Sequence, residues 1–248
     1  MTKFQIASDL HIEAFDRNVG HEDFISPDSD CKVLILAGDI GRITKFEQIK
    51  YFLTSVCPKF KIVVYVPGNQ EYYKVEGFPL NTFEEIKNKM NLLQKDISNL
   101  LILDRDVVII DDVCIYGTTL WSEALVQIPR FIVKIPFMST RRYNEMHFQA
   151  VYCLQKVIEY AKFKKLKLLV VSHHCPSFSF IEKKDKYSSL YASNLDYLFD
   201  KNNIHTWIFG HIHKNHDIYI NGVRFVTNQR GKGNKLCKTF SKNKCIQV

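Results

Sequence analysis

The feature that most constrains this chain is a series of short apolar runs that each lead to a polar residue. The run Val33–Ala37 is followed by Gly38 and Asp39. Five consecutive apolar residues are too few for a helix and predict a strand that is buried on both faces. In open α/β sheets, ligands bind at the carboxyl ends of the strands, so Asp39 stands where chemistry is usually done.

Four other predicted strands also lead to residue types that bind metals. The strands over residues 4–8, 62–66, 166–171 and 206–209 are followed, in that order, by Asp9 and His11, by Asn69, by His173, and by His211 and His213. Two of these sites are pairs of residues two positions apart, which point to the same side where the segment is extended. Each residue alone is more often a turn, cap or hydrogen-bonded residue, so the joint pattern carries the argument.

The chain alternates strands with helices in its first half and acquires hairpins later. Helices are predicted over residues 44–56, 81–97 and 143–163, and Asn221-Gly222 predicts a hairpin turn. This order predicts an α/β (α+β) fold with a mixed sheet or two packed sheets and helices outside. The irregular stretch over residues 117–142 is interpreted as a lid or a substrate-facing insertion.

The composition indicates one globular domain. A chain of 248 residues with 46% hydrophobic residues can bury a large core. We predict a single domain over residues 1–233 and a lysine-rich C-terminal tail over residues 234–248. No apolar run approaches the roughly eighteen residues of a membrane span, and the N-terminus lacks the apolar segment of a signal peptide, which favours a cytoplasmic protein.

Cysteine spacing and charge narrow the class of protein further. The seven cysteines are never spaced as Cys-x-x-Cys, which argues against a disulfide framework or a zinc ribbon and favours mostly reduced side chains. The net charge of +8 suits anionic partners. It is spread over short lysine runs, which solvated loops and helix ends explain better than a nucleic-acid-binding stripe does.

The candidate ligands exceed the needs of one metal ion; they are Asp9, His11, Asp39, Asn69, His173, His211 and His213. A zinc ion takes four protein ligands in structural sites and three in catalytic sites. Seven ligands suit two divalent ions that share a carboxylate, and their imidazole, carboxylate and amide donors suit Mn, Fe, Zn or Co. Two such ions clamp the attacking and leaving oxygens of an in-line displacement.

These motifs resemble those of the calcineurin-like metallophosphoesterases over nearly the whole chain, from residue 4 to about residue 231. The resemblance rests on Asp9-Leu10-His11, Gly38-Asp39, Gly68-Asn69, His173 and Gly210-His211-Ile212-His213. It is greatest to a bacterial-type branch of predicted phosphohydrolases, which Pro67-Gly68-Asn69-Gln70-Glu71-Tyr72-Tyr73 and Asn228-Gln229-Arg230-Gly231 also suggest. The motifs are specific for the superfamily and not for a substrate.

The resemblance implies a four-layer sandwich in which two packed mixed sheets are flanked by helices. It implies that Asp9, His11 and His213 hold one metal, that Asn69, His173 and His211 hold the other, and that Asp39 bridges the two. It also implies a phosphoric ester hydrolase, either a phosphodiesterase or a phosphatase. In such an enzyme a hydroxide held by the metals attacks phosphorus directly, and no phosphoenzyme forms.

The chain departs from the family pattern at Gln70, where the family usually has a histidine that is thought to protonate the leaving group. A glutamine amide donates a hydrogen bond but no proton, and general-acid catalysis is worth about 10²–10⁴-fold. Three interpretations are open. The substrate has a leaving group of low pKa, as in a pyrophosphate bond; another residue, with His174 as the candidate, donates the proton; or the protein binds metal and turns over poorly. For His174 itself, a supporting role is slightly favoured over that of the proton donor.

The leading hypothesis is a dinuclear metal-dependent phosphoesterase that hydrolyses a small phosphate ester, phosphodiester or pyrophosphate-type bond. Its candidate catalytic residues are Asp39, Asn69, Gln70 and His174. Its expected partner is a small phosphorylated substrate or a nucleotide, and Arg230, Arg42 and Arg141 are the candidates to bind phosphate oxygens. The alternatives are a nuclease or nucleic-acid-binding phosphodiesterase, and a weakly active metal-binding protein on the same scaffold.

Overall fold

The computed structural model describes residues 2–79, 81–233 and 236–248. Within these ranges the α-helices are α1 (Phe46–Val56), α2 (Phe83–Asp96) and α3 (Thr140–Lys164). The strands are β1 (Lys3–Ala7), β2 (Val33–Ala37), β3 (Ile62–Val66), β4 (Leu100–Ile102), β5 (Asp106–Ile110), β6 (Val113–Thr118), β7 (Lys167–Ser172), β8 (Thr206–Ile208), β9 (Asp217–Ile220), β10 (Val223–Val226) and β11 (Cys245–Gln247). None of the helices in these ranges has both the length and the apolar character that a membrane crossing requires.

The strands form two mixed sheets. One has the order β11-β1-β2-β3-β4, and the other has the order β5-β6-β7-β8-β10-β9. The inner strands of each sheet are parallel, whereas β11, β5 and β9 pair in the antiparallel direction at the edges. The predicted Asn221-Gly222 turn joins β9 to β10, and both residues have positive φ angles, of 50° and 79°, as a tight hairpin turn requires.

The core is divided among three apolar layers, because β2 and its neighbours are buried on both faces. Val33 and Ile35 face a cluster that lies between the two sheets. Leu34 and Leu36 face the opposite way, into a cluster with residues of α1 and α2. A third cluster packs α3 against the outer face of the second sheet. The predicted architecture of two packed mixed sheets between helical layers is therefore confirmed.

The helix boundaries follow from local capping. Helix α2 begins after Thr82, whose side chain accepts from the backbone N–H of Glu85, while the Glu85 carboxylate accepts from the backbone N–H of Thr82. Helix α3 begins three residues before the predicted start, because the Ser139 hydroxyl caps it by accepting from the backbone N–H of Arg142. Helix α1 begins later than predicted, because residues Ile43–Lys45 form a separate 3₁₀ turn.

The C-terminal residues differ from the predicted tail. Strand β11 pairs with β1, and Ile246 is buried between the sheets with 3% exposure. Cys31, which precedes β2, forms a disulfide with Cys245 at the start of β11, whereas Cys57, Cys114, Cys153, Cys175 and Cys237 are free. The sequence pattern does not indicate this strand, because Ile246 is a single buried residue and lysines dominate the local composition.

We predict that Ile246→Ala lowers the free energy of unfolding by about 2–5 kcal/mol, because it removes a buried aliphatic side chain from the layer between the sheets. Urea denaturation followed by circular dichroism measures this change. The control is Gln247→Ala, which alters the adjacent exposed position. Equal unfolding midpoints for the two variants would mean that the last residues do not contribute to the core.

Candidate metal centre

The residues singled out from the sequence meet at one edge of the sandwich, although they come from both sheets. The loops after β1, β2 and β3 lie beside those after β7 and β8. Hydrogen bonds join the loops of the two sheets, since the backbone N–H of His211 donates to Oδ1 of Asp9 at 3.0 Å and Nδ1 of His173 donates to the carbonyl of Ala37 at 3.1 Å. The edge of the fold therefore places all seven candidate ligands in one region.

Five of the seven candidate ligands have left-handed backbone conformations. The φ angles are 54° at Asp9, 51° at His11, 52° at Asp39, 74° at His211 and 51° at His213. Positive φ is uncommon outside glycine, and clusters of such residues are typical of functional sites. The two Asp/His-x-His segments are therefore tight turns and not the extended segments that the sequence analysis assumed.

Two glycines allow the loops to approach each other closely. A Cβ atom at Gly38, where φ is 86°, would collide with the ring of His173, and a Cβ atom at Gly68 would collide with the side chain of Asp39. The glycines in the Gly38-Asp39 and Gly68-Asn69 motifs thus permit the contact between the two sheets that forms the site.

One group of possible ligands contains Asp9, His11 and His213, whose ligand atoms all lie within 4.8 Å of one another. Nε2 of His11 lies 3.1 Å from Nε2 of His213, and the latter lies 3.4 Å from Oδ1 of Asp9. The other nitrogen of His11, Nδ1, lies 3.2 Å from Oε1 of Glu13, to which it donates. With Nδ1 engaged by Glu13, Nε2 of His11 is the ring nitrogen that lies beside His213 and Asp9, an arrangement that fits a cation.

A second group contains Asp39, His173 and His211, again within 4.8 Å of one another. Nδ1 of His173 donates to the carbonyl of Ala37 at 3.1 Å, so that Nε2 faces the site. This Nε2 lies 2.9 Å from Oδ1 of Asn69, 3.1 Å from Nδ1 of His211 and 3.2 Å from Oδ1 of Asp39. Four nitrogen and oxygen atoms of possible ligands therefore converge here as well.

Asp39 lies between the two groups. Its Oδ1 atom is the one near His173, whereas its Oδ2 atom lies 3.9 Å from Nε2 of His11 in the first group. The carboxylate of Asp39 is thus positioned to contact a cation in either group.

The electrostatics of the cluster favour added positive charge. Burial disfavours the carboxylate of Asp39, but neighbouring His173 holds its pKa below the usual range. Burial also lowers the pKa of an imidazole, yet the carboxylate of Asp39 raises the pKa of His173 to about 9. Burial and the neighbouring His173 lower the pKa of His211 to about 3, which keeps this imidazole neutral and able to bind a metal.

Two buried glutamates support the cluster, and the sequence analysis missed both. The fully buried carboxylate of Glu71 accepts from the backbone N–H groups of Asp39, Ile40 and Gly68 at 3.1, 2.7 and 2.8 Å, and from the Tyr65 hydroxyl at 2.7 Å. Glu13 orients His11 and accepts from Nζ of Lys232 at 2.6 Å. An acidic residue inside an otherwise apolar or aromatic motif was the available sequence signal, as in Gln70-Glu71-Tyr72-Tyr73.

The side chain of Gln70 is held by Arg42. Nε and Nη2 of Arg42 donate to Oε1 of Gln70 at 3.3 and 3.1 Å, and Nη1 donates to the carbonyl of Lys74 at 3.2 Å. A guanidinium only donates hydrogen bonds, so the atom of Gln70 that faces it is the oxygen. Among the described residues, none accepts from the NH₂ group of the Gln70 amide, which is consequently available as a donor.

His174 is buried beside the cluster and is neutral. Nδ1 of His174 donates to the carbonyl of Thr119 at 3.1 Å, so Nε2 is the acceptor for the Tyr143 hydroxyl at 3.2 Å. Burial and the neighbouring His211 hold the pKa of His174 well below its usual value. The ring packs on that of His211, with centroids 4.3 Å apart.

The three candidate phosphate-binding arginines are not brought together. Arg42 lines the cavity above the cluster. The side chain of Arg141 is 89% exposed on α3, where it pairs with Glu145 at 2.8 Å, away from this cavity. Arg230 donates to the carbonyls of Leu10 and Gly231, and its guanidinium stacks over Phe15 and Phe24 outside the cavity. Of the three arginines, Arg42 therefore lines the cavity, whereas Arg141 and Arg230 do not.

A cavity of about 600 Å³ opens above the cluster. Its floor contains His11, Asp39, Asn69, His211 and His213, with Gln70 and His174 beside them. The irregular stretch, which runs to Ser139 in the structure, contributes residues 131–134 to the wall. This observation agrees with the interpretation of the stretch as a substrate-facing insertion.

The chain is similar to known sequences of one family over most of its length. The sequence pattern of the calcineurin-like phosphoesterases matches residues 2–215. An uncharacterized protein of Acanthamoeba polyphaga mimivirus is 26% identical over 270 residues, which cover 93% of this chain and 91% of that protein.

Solved structures of low sequence identity share the fold. The phosphopantetheinyl hydrolase PptH of Mycobacterium tuberculosis has a TM-score of 0.74 at 15% identity, covering 94% of this chain and 91% of that chain. A dimetal phosphatase of Danio rerio has a TM-score of 0.55 at 11% identity, covering 91% and 86%. Fold and family together define a metal-dependent phosphoester hydrolase. The chain belongs to the calcineurin-like phosphoesterase family.

We predict that Glu13→Gln weakens the binding of Mn²⁺ by about 10–100-fold, because a carboxylate that orients a metal-binding histidine also raises its basicity. Isothermal titration of Mn²⁺ into chelator-treated protein measures the affinity. The control is Glu22→Gln, which changes an exposed glutamate elsewhere on the surface. Unchanged Mn²⁺ affinity in Glu13→Gln would show that the contact between Glu13 and His11 does not contribute to metal binding.

We predict that Glu71→Gln lowers the free energy of unfolding by about 1–3 kcal/mol, because an amide NH₂ would face backbone N–H donors and leave buried donors unpaired. Chemical denaturation compares this variant with Glu84→Gln, in which an exposed glutamate of α2 is changed in the same way. If both variants were as stable as the parent, the Glu71 carboxylate would not hold these loops together.

Proposed function

We propose that this protein is a dinuclear metal-dependent hydrolase that cleaves a small phosphate ester, phosphodiester or pyrophosphate-type bond. The observation that carries the proposal is the position of Asp39, whose two carboxylate oxygens face the two groups of acceptors separately. A single metal site would need only one of these groups. The net charge of +8 is compatible with an anionic substrate.

The residues present fit two divalent cations. Asp9, His11 and His213 would hold one, Asn69, His173 and His211 would hold the other, and Asp39 would contact both. Their nitrogen and oxygen donors suit Mn, Fe, Zn or Co. When bound, such cations polarise the phosphoryl oxygens and lower the pKa of water, so that a nucleophile is available near neutral pH.

The chain itself supplies orientation and hydrogen bonds around the phosphoryl group. The amide NH₂ of Gln70 is a donor beside the cluster because Arg42 holds the amide oxygen. Lys232 lines the same cavity and donates to the carboxylate of Glu13, which also accepts from His11. Arg42 acts through Gln70 and is therefore a positioning residue, with its guanidinium already engaged by that amide and by the carbonyl of Lys74.

We assign His174 a supporting role and not that of the proton donor. The neutral ring carries a single N–H proton, on Nδ1, and this N–H donates to the carbonyl of Thr119, while Nε2 accepts from the Tyr143 hydroxyl. Its ring packs against His211 and so fixes the orientation of that side chain. With neither Gln70 nor His174 able to deliver a proton, the reaction suits a leaving group that departs as a stable anion.

The first test is hydrolysis of 4-nitrophenyl phosphate and bis(4-nitrophenyl) phosphate by the chelator-treated protein after addition of Mn²⁺, Zn²⁺ or Mg²⁺. We expect activity only with added metal, and we expect Asp39→Asn to reduce kcat/KM to background because it removes the shared carboxylate. The control is Asp16→Asn, at an exposed position. Metal-independent activity, or full activity in Asp39→Asn, would contradict the proposal.

The second test concerns Gln70. We predict that Gln70→His raises kcat/KM for an alkyl phosphate, such as a methyl ester, by up to about 10²–10⁴-fold, because an imidazole can protonate an alkoxide leaving group. The same change should have little effect on the 4-nitrophenyl ester, whose leaving group needs no proton. A kinetic comparison of the two esters in both proteins measures this selectivity. An equal gain for both esters would show that Gln70 does not limit proton delivery.

A further inference from the structure

The cavity above the metal cluster is larger than one phosphoryl group needs. Its volume of about 600 Å³ falls in the range of sites that bind ligands of the size of a nucleotide or a drug. Beside the floor, two wall segments line the cavity, namely residues 131–134 and residues 181, 183, 185, 190 and 191. These segments determine what the rest of the substrate contacts.

The two wall segments are built into the fold. The Tyr73 hydroxyl donates to the carbonyl of Ile132 at 2.8 Å, and the backbone N–H of Lys74 donates to the carbonyl of Lys134 at 3.0 Å. The backbone N–H of Leu125 donates to the Ser189 hydroxyl at 3.1 Å and ties the insertion to the second segment. The wall is therefore positioned before any substrate binds.

Two lysines on this wall lack carboxylate partners. Arg42 and Lys232 also line the cavity, but the first is bonded to Gln70 and the second to Glu13. Across residues 2–79, 81–233 and 236–248, neither Lys134 nor Lys183 forms a salt bridge. The nearby Asp185 carboxylate accepts from the backbone N–H of Tyr187 at 2.8 Å, within its own loop. Lys134 and Lys183 are thus available to an anion.

The same wall also presents apolar and aromatic surface. Phe131 lines the cavity although 69% of its surface is exposed, and its ring lies edge-on to Tyr187 with centroids 6.2 Å apart. Leu190 and Tyr191 continue this surface towards His211. An exposed aromatic side chain at the mouth of a cavity is a suitable contact for an apolar or aromatic group of a ligand.

We propose, on the basis of the function proposed above, that the substrate is a diphosphate diester in which the second phosphoryl group binds Lys134 and Lys183 and an apolar or aromatic end group packs on Phe131. A diphosphate satisfies both chemical features of the cavity at once. Its second phosphate is the additional anion, and it is also a leaving group that departs without a proton from Gln70.

The reaction is a hydrolysis that conserves atoms and charge. The oxygen of a water molecule forms a bond to one phosphorus, and the bond from that phosphorus to the bridging oxygen breaks. The bridging oxygen leaves with its electron pair on the second phosphoryl group, which Lys134 and Lys183 stabilise as an anion. The diester dianion and water thus give two phosphate monoester dianions and two protons, with no oxidation or reduction.

The test compares binding and turnover in Mn²⁺-loaded protein. Diphenyl methylenediphosphonate is the non-hydrolysable probe, and diphenyl phosphate is its counterpart without the second anion. Titration calorimetry should show that the double variant Lys134→Ala and Lys183→Ala binds the diphosphonate at least about tenfold more weakly, since charge-assisted hydrogen bonds are lost. Binding of diphenyl phosphate should change little.

A matched control removes the same charge elsewhere. The double variant Lys59→Ala and Lys162→Ala changes two exposed lysines outside the cavity and should bind both probes as the parent does. Phe131→Ala should weaken binding of the diphenyl probe more than that of unsubstituted methylenediphosphonate. Equal affinity of the Lys134/Lys183 variant and the parent for the diphosphonate would overturn the proposal.

Hydrolysis rates for different esters distinguish the diphosphate proposal from the phosphoesterase function on which it rests. Diphenyl diphosphate should be hydrolysed with a kcat/KM that falls in the Lys134/Lys183 variant mainly through an increased KM, whereas bis(4-nitrophenyl) phosphate should be unaffected. Hydrolysis of the monophosphate esters but not of diphenyl diphosphate would overturn the diphosphate proposal and leave the phosphoesterase function intact. Failure to hydrolyse any of these esters with metal would instead overturn the function itself.

Discussion

The interaction on which the site depends is the placement of the Asp39 carboxylate between two groups of acceptor atoms. Oδ1 of Asp39 accepts from the backbone N–H of Gln70 at 2.9 Å and lies beside His173, whereas Oδ2 is directed towards His11. Strands β1, β2, β3, β7 and β8 must all end at the same edge for this to occur. Acceptor atoms crowded in this way repel one another, so the arrangement is favourable only where positive charge compensates them.

The surrounding structure compensates for the unfavourable backbone conformations of the loops that carry the candidate ligands. Left-handed residues such as Asp9, His11 and His213 are each less stable than ordinary backbone by about 1–2 kcal/mol. Buried side chains hold these turns in place: the Glu71 carboxylate collects backbone donors from the loops after β2 and β3, and Oε1 of Gln229 accepts from the backbone N–H of His213 at 2.7 Å. The packed apolar layer between the sheets fixes the distance between the two halves of the site.

The side of the cavity away from the metal cluster has a different chemical character. The floor offers acceptors, whereas the wall from residues 131–134 offers a lysine next to aromatic and aliphatic surface. Gln70 lies between the two regions with its amide oriented by Arg42. In the function proposed above, the floor would act on the phosphoryl group and the wall would contact the remainder of the molecule, so that selectivity would depend on the wall.

Much of the fold and the candidate metal cluster followed from the sequence. Apolar runs such as Val33–Ala37 are local signals, and the order in which Asp9, Asp39, Asn69 and the histidines follow them is readable without a structure. The edge strand β11 was missed because Ile246 is a single buried residue among lysines and becomes part of the core only through pairing with β1. Local pattern carries little information about such a short edge strand.

The sequence by itself determined which apolar run each candidate ligand follows, and it determined that Gln70 stands where a proton donor is usual. Both depend only on residue type and local spacing. Only the tertiary structure decided that Arg42 orients Gln70, that Arg141 and Arg230 lie outside the cavity, and that Glu13 and Glu71 support the loops. Long charged side chains find their partners among segments far apart in the chain. Their roles are therefore set by how the two sheets and the insertion pack together, and not by the residues adjacent to them in sequence.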